Sequence, residues 1–280
     1  LLIYPYVYHV AKNKRKNFIS KIVLITGATD GIGLIASRKI LKKGHTVLIH
    51  GRNATKVKRI VDNLSYFGKV DGFTADLSDV NSTQIFSAKI IQKYRRLDVL
   101  INNAGVLKNH QVVTKDGLDI RFAVNTISPF LLANQLLPLL SKRGRVVNVA
   151  SAAQASVDIE ALIGKYTDLS DMEAYSQSKL AMIMWSSAMA KYIDQSKTVF
   201  VSVNPGSLLG TKMVRDYFGI SGKDVNIGAN ILVQLAVDEK IMVLSGKYFD
   251  NDKGFFTSPH PDALDEKKCF RIIKSIKSIL

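Results

Sequence analysis

Residues 21–33 read KIVLITGATDGIG. The first seven form a short apolar run rich in β-branched residues, the composition of a strand. From Ile32 to Lys43 the pattern is that of a helix, ended by Gly44. Between the two lie Thr26, Gly27, Ala28, Thr29, Asp30, Gly31, Ile32 and Gly33. A glycine turn in this setting suits a dinucleotide. No side chain blocks the pyrophosphate, and the N–H groups at the helix start face its charge. The glycines are spaced G-x3-G-x-G.

The same alternation continues outward. TVLIHG reads as a second strand, and Ala54 to Tyr66 as a helix with Val57, Ile60, Val61 and Leu64 on one face. VDGFTAD, LDVLINN, RVVNVAS, TVFVSVNPG and GKYFD read as further strands. Helices are expected over Val80 to Tyr94, around Gly117 to Leu140, over Glu173 to Tyr192 and over Ile227 to Val237. Continuously apolar strands alternating with helices predict an α/β protein. Its core is a doubly wound parallel sheet of about seven strands with helices on both faces. One catalytic domain over residues 21–252 accounts for the pattern, with an N-terminal extension (1–20) and a C-terminal extension (253–280). Two insertions, residues 152–172 and 207–226, fall at carboxyl ends of strands, where open α/β sheets bind ligands.

Composition narrows the classes. Of 280 residues, 47% are apolar and 22% charged, which excludes a disordered or collagenous chain. The net charge of +16 raises nucleic acid or an anionic membrane as a partner. No nucleic-acid recognition motif accompanies it, and the basic residues are 28 Lys against 11 Arg. Much of the excess sits in the ends: residues 1–21 carry +5 and residues 266–280 carry +4. LLIYPYVYHV followed by KNKRKN reads either as the stump of a membrane anchor or as an extension packed on the body. In EKKCFRIIKSIKSIL, Ile272, Ile276 and Ile279 share one side of a basic amphipathic helix. Such a helix lies on a membrane or, more often, covers its own protein or a subunit partner. The single Cys269 excludes an internal disulfide framework, suits a reducing compartment, and is expected to have a surface or packing role rather than a nucleophilic one. Five scattered histidines show no metal-ligand spacing, so no metal site is expected.

The second strand ends in His50, Gly51, Arg52 and Asn53, with no carboxylate for the ribose 2′-hydroxyl of NAD. Arg52 either meets the 2′-phosphate of NADP instead or is an exposed loop arginine. Asp76 and Leu77 follow the third strand. Asp76 either accepts from the adenine amino group or is an ordinary acid at a helix start. Tyr175 and Lys179 stand at i and i+4, on one helical face. A neighbouring ammonium stabilises a phenolate, so the pair suits proton exchange with a substrate oxygen. Ser151 closes the fifth strand, Asn102 to Gly105 close the fourth, and Asn125 lies within a predicted helix.

These motifs together resemble the short-chain dehydrogenase/reductase superfamily in its G-x3-G-x-G form, over about residues 21–252. The resemblance implies a Rossmann-type fold. It implies that Tyr175 is the acid/base, that Lys179 lowers its pKa and binds the nicotinamide ribose, and that Ser151 orients the substrate carbonyl. Asn125 would hold a water in a proton relay. Asn103, Ala104 and Gly105 would support the adenine side and the sheet, and Pro205, Gly206 and Thr211 would contact the nicotinamide end. The long separation of Ser151 from Tyr175, with PGSLLGTKMV and GKYFDNDKG, is similar to the retinol-dehydrogenase-like and WW-domain-oxidoreductase-like branch. This implies a nicotinamide-dependent oxidoreductase acting on retinoids, steroids or other lipophilic carbonyls and alcohols, with NADP(H) preferred and NAD(H) not excluded. Asp30 departs from the pattern, since NADP-preferring members often carry a basic residue there. Alternatives are a 3-ketoacyl or hydroxysteroid reductase and, from another class, a non-catalytic NADP-binding scaffold or sensor. Leu208, Leu209, Met213, Val214, Tyr217 and Phe218, interleaved with glycines, either form an apolar substrate loop or pack a short helix against the body. A cytoplasmic place or the cytoplasmic face of a membrane, not secretion, is the expectation, with peripheral contact through the termini. The resemblance also implies a dimer or tetramer.

Overall fold

The computed structural model describes residues 19–193, 198–238 and 244–280. The anchor reading of the N-terminus falls on residues outside that set. One sheet has the strand order β3-β2-β1-β4-β5-β6-β7-β8. The strands are β1 (Ile22–Ile25), β2 (Thr46–Gly51), β3 (Val70–Thr74), β4 (Leu97–Asn102), β5 (Leu140–Val149), β6 (Thr198–Asn204), β7 (Tyr248–Asp250) and β8 (Phe255–Thr257). The first seven run parallel, as the alternating pattern predicted. The eighth pairs antiparallel with β7 and lies beyond residue 252. It returns through a tight turn in which Gly254 takes φ +82 and donates to Asp250 O at 2.8 Å.

The helices are α1 (Gly31–Lys42), α2 (Ala54–Ser65), α3 (Val80–Lys93), α4 (Ile120–Phe122), α5 (Ser128–Leu136), α6 (Ile159–Leu162), α7 (Asp171–Tyr192), α8 (Lys212–Phe218), α9 (Asn226–Val237) and α10 (Glu266–Lys277). Successive strand side chains point to opposite faces. Leu24, Leu48, Leu100, Val146 and Phe200 join one core layer with Phe86, Phe130 and Trp185 from the helices. Val23, Val47, Val99, Val147 and Val201 join the other with Ile40, Ile60 and Leu232. Both faces are thus covered, and the sheet is the expected Rossmann-like α/β arrangement. β1 lies between β2 and β4, so the strand order reverses beside it and leaves a crevice at the carboxyl ends.

The helix expected around 117–140 is continuous from Ile120 to Leu139 but is not regular. Between α4 and α5 the chain forms a π-turn, Ala123–Ile127, with Ser128 N–H donating to Ala123 O. By length and composition this helix could cross a membrane, yet 72% of its apolar window is buried inside the protein. Its start is tied to α7 by charge. Arg121, 1% exposed, donates through Nε to Asp119 Oδ1 at 2.7 Å and through Nη1 to Asp171. A Ser170–Glu173 capping box starts α7. The C-terminal helix α10 turns Cys269, Ile272, Ile273 and Ile276 into the core beside α7, so its apolar face is covered by its own protein. Its basic side chains face outward, and burial pushes the Cys269 thiol up to about 11.

Candidate active site

At the carboxyl ends of the strands lies a cavity of about 550 Å³. The glycine turn forms its floor. Gly27 (φ +62) and Gly31 (φ +52) hold the left-handed backbone that favours glycine. A Cβ on Gly33 would meet Asn103 Nδ2 at 2.5 Å, so α1 packs closely on the β4 loop only without one. Thr26 and Gly33 stand behind the wall, whereas Gly27, Thr29, Asp30, Gly31 and Ile32 line it. Thr26 Oγ1 accepts from the N–H groups of Asn103 and Ala104, both at 3.0 Å. Asn103 Nδ2 donates to Thr26 O at 2.8 Å and Gly27 O at 3.1 Å. The Asn103–Gly105 segment therefore braces the turn from the neighbouring strand. This backbone, at the start of a helix whose first N–H groups lack intrahelical acceptors, fits a pyrophosphate.

At one end Arg52, Asp76 and Leu77 line the cavity. Lys56, which the sequence reading did not single out, joins them four residues after Arg52 at the start of α2. It pairs with Asp30 at 2.9 Å and, as the first cause, holds that carboxyl below its ordinary value. Asp30 also caps α1 through the Gly31 N–H at 2.8 Å. Its charge is thus shared between a helix start and a lysine. Asp76 Oδ1 accepts from Ser78 N–H (2.9 Å) and Ser78 Oγ (2.7 Å), closing its own turn.

His50 is another residue the sequence reading passed over as a site residue. It is 3% exposed. Its Nδ1 accepts from Gly27 N–H at 3.3 Å, and its Nε2 donates to Ala75 O at 3.1 Å. These partners require the neutral Nε2-protonated ring. Burial brings its pKa down to about 4. The imidazole therefore ties the glycine turn to the loop after β3.

At the other end Ser151, Tyr175 and Lys179 meet. Tyr175 and Lys179 lie one turn apart on α7, with Nζ 5.7 Å from the phenol ring centre. Lys179 is 3% exposed and donates to Val149 O at 2.7 Å. Burial pulls it down to about 7. Burial likewise pushes the Tyr175 phenol above its ordinary value, and its hydrogen bond with Ser151 opposes that shift. Gly105 makes room, since a Cβ there would lie 3.3 Å from both Lys179 Nζ and Asn125 Oδ1. Asn125 sits in the π-turn, behind the wall. Its Oδ1 accepts from Val106 N–H at 2.8 Å, and its Nδ2 donates to Val106 O (2.8 Å) and Ser178 Oγ (3.0 Å). The oxygen and nitrogen of this buried amide are thus both hydrogen-bonded.

Pro205, Gly206 and Thr211 continue the wall, and Thr211 caps α8. Leu208, Leu209, Met213, Val214 and Phe218 of the expected substrate loop line the cavity. Tyr217 does not; its ring packs on Phe218 at 4.9 Å. Met172, one turn before Tyr175 on α7, adds an apolar contact whose signal was that i, i+3 spacing. Leu208 is the one non-glycine at positive φ (+55) among the described residues, and it is 41% exposed at the lip.

The family model for short chain dehydrogenase matches residues 21–219. Human retinol dehydrogenase 13 is 29% identical over 97% of this chain and 88% of its own length. The crystal structure of an uncharacterized protein from Mycobacterium paratuberculosis superposes with a TM-score of 0.77. It is 25% identical and covers 94% of each chain. A short chain dehydrogenase from Shigella flexneri, solved with NADP, gives a TM-score of 0.66 at 26% identity, over 83% of this chain and 97% of that one. The chain belongs to the short-chain dehydrogenase family: it is an oxidoreductase of alcohol and carbonyl groups that uses a nicotinamide cofactor.

Proposed function

We propose that this short-chain dehydrogenase moves hydride between NADP(H) and a lipophilic carbonyl or alcohol of the retinoid, steroid or long-chain aldehyde type. The observation that carries the reading is the meeting of Ser151, Tyr175 and Lys179 in the same cavity as the glycine turn and Arg52. The N–H groups at the start of α1 would hold the pyrophosphate. Arg52, with Lys56 beside it, would face the 2′-phosphate, which supports NADP over NAD. Asp76 would accept from the adenine, and Lys179 would bind the nicotinamide ribose. The bound nicotinamide supplies or receives the hydride.

The chain's own residues manage the proton. Ser151 would orient the substrate oxygen, and the Tyr175 hydroxyl would give it a proton or take one from it. Burial alone disfavours the phenolate, so a positive charge on Lys179 is needed to offset it. Asn125, whose amide is held by Val106 and Ser178, would hold a water in a proton relay. Met172, Leu208, Met213, Val214 and Phe218 would take the apolar body of the substrate. Lys267, Lys274 and Lys277 on the outer side of α10 would favour the anionic cytoplasmic face of a membrane, where such substrates collect.

The test is a panel of retinoids, steroid ketones and long-chain aldehydes followed by NADPH absorbance. Turnover is expected, with Tyr175→Phe lowering kcat by at least about 100-fold. Arg52→Ala is expected to weaken NADP(H) about tenfold while sparing NAD(H), the loss of roughly one charge-assisted contact. Tight NADP binding without turnover of any member would favour the non-catalytic scaffold instead. NAD(H) binding as tight as NADP(H), with Arg52→Ala neutral, would overturn the cofactor assignment.

A further inference from the structure

Ser151 lies beyond the end of β5. The last ladder bond there is from Ala150 N–H to Val203 O at 2.8 Å. Among the described residues no backbone N–H pairs with the Ser151 carbonyl, yet two side chains do. Gln154 Nε2 donates to it at 3.0 Å and Tyr248 Oη at 3.1 Å. Tyr248 belongs to β7 and is 3% exposed, so its hydroxyl arrives on a rigid strand from the core. Gln154 is oriented at its other end, where Oε1 accepts from His260 N–H at 2.8 Å. One end donating to a carbonyl and the other accepting from an N–H leaves a single amide orientation. His260 is itself placed by the C-terminal segment. Its Nδ1 accepts from Asp262 N–H, and the Asp262 carboxylate pairs with Lys268 of α10 and bonds Ser156 of the Ser151 loop. The Ser151 hydroxyl, in turn, accepts from Ala153 N–H at 3.1 Å while bonding Tyr175.

We propose that Gln154 and Tyr248 are positioning residues for Ser151, and that His260 sets Gln154, so that the C-terminal segment helps to aim the catalytic hydroxyl. A carbonyl held by two donors cannot rotate its peptide plane freely. The serine backbone, and with it the hydroxyl facing Tyr175, is thereby kept in one orientation. The catalytic consequence rests on the role of Ser151 proposed above; the geometric part does not.

The test uses the full chain with Tyr248→Phe, which removes only the hydroxyl, and Gln154→Glu. The glutamate is isosteric and keeps the acceptor for His260, but it loses the donor and turns an oxygen toward the Ser151 carbonyl. A role in packing alone would leave Tyr248→Phe, which keeps the buried ring, at the wild-type exchange rate. Amide exchange at Ala153, whose N–H bonds Ser151 Oγ, is the first readout and needs no substrate. Each variant is expected to exchange about fivefold faster there, the factor for losing one hydrogen bond of ordinary net strength. On any substrate from the panel, kcat should fall by a similar factor while the NADP(H) dissociation constant stays as in wild type. Exchange at the wild-type rate in Gln154→Glu overturns the proposal, and this variant decides alone if Tyr248→Phe fails to fold. Faster exchange with no turnover of any panel member would sustain the positioning and defeat the proposed function.

Discussion

Replacing His50 with Gln separates a titrating group from its structural duty. Glutamine can still donate toward Ala75 O but does not titrate. In the folded protein His50 has a pKa of about 4, against an ordinary value of 6.5, because burial disfavours the imidazolium. A folded value below the unfolded one means that its contribution is complete above pH 6.5. That contribution is lost as pH falls through the window down to about 4. Protonation also turns a second N–H toward Gly27 N–H, so the link from the glycine turn breaks. Linkage over that window makes wild type lose about 2.5 kcal/mol between about pH 7.5 and about pH 4.5 through this one group. Carboxylates titrate in both proteins and cancel in the comparison. Urea unfolding at several pH values measures the difference. His50→Gln should be less stable at neutral pH, by about 1–2 kcal/mol for the poorer acceptor at Gly27, and the gap should close or reverse toward the acid end. NADP+ affinity of wild type should fall over the same window. Stability curves that stay parallel in the two proteins would refute the neutral, buried assignment.

Two further outcomes follow from buried charge. Lys179 is depressed to about 7 by burial, so folding is opposed as pH falls from its ordinary value of 10.5 toward 7. Lys179→Met should therefore raise the unfolding free energy of the cofactor-free protein at neutral pH, by up to about 4 kcal/mol, while abolishing turnover. Thermal melts with and without NADP+ check this, and a variant less stable than wild type at neutral pH would count against it. Arg121→Ala leaves Asp119, 1% exposed, without its cation. The expected loss is about 3–5 kcal/mol, read from denaturant midpoints, with Asp171 and the start of α7 loosened as well. A loss within error of zero would mean that water replaces the guanidinium.

The parallel sheet was legible because buried parallel strands carry continuous apolar runs. IVLI, TVLIHG and TVFVSVN announce themselves without knowledge of their neighbours. The glycine turn was legible because positive φ at Gly27 and Gly31 is a local demand that glycine meets cheaply, and a Cβ on Gly33 would also meet Gly27 O at 2.8 Å. Tyr175 and Lys179 were legible because helical spacing alone puts them on one face. The π-turn around Asn125 was not. It shifts a hydrogen bond by one residue without changing the apolar pattern, and its asparagine is explained only by Val106 and Ser178, brought in from elsewhere.

The remaining features depended on partners far apart in the chain. Whether α10 lies on a membrane or on its own protein could not follow from its amphipathic pattern, because both surfaces accept the same apolar face. Packing against α7 decided it. Lys56 reads as an ordinary helix-start lysine until Asp30 appears beside it, 26 positions away. Tyr248 reads as a strand residue until its hydroxyl reaches Ser151 across 97 positions. The sequence by itself determined the strand–helix order, the glycine turn and the placing of Tyr175 and Lys179 on one helical face, all of which rest on residues close in the chain. The tertiary structure alone decided what holds those groups in aim, because hydrogen bonds and burial between distant segments leave no periodic trace in the sequence.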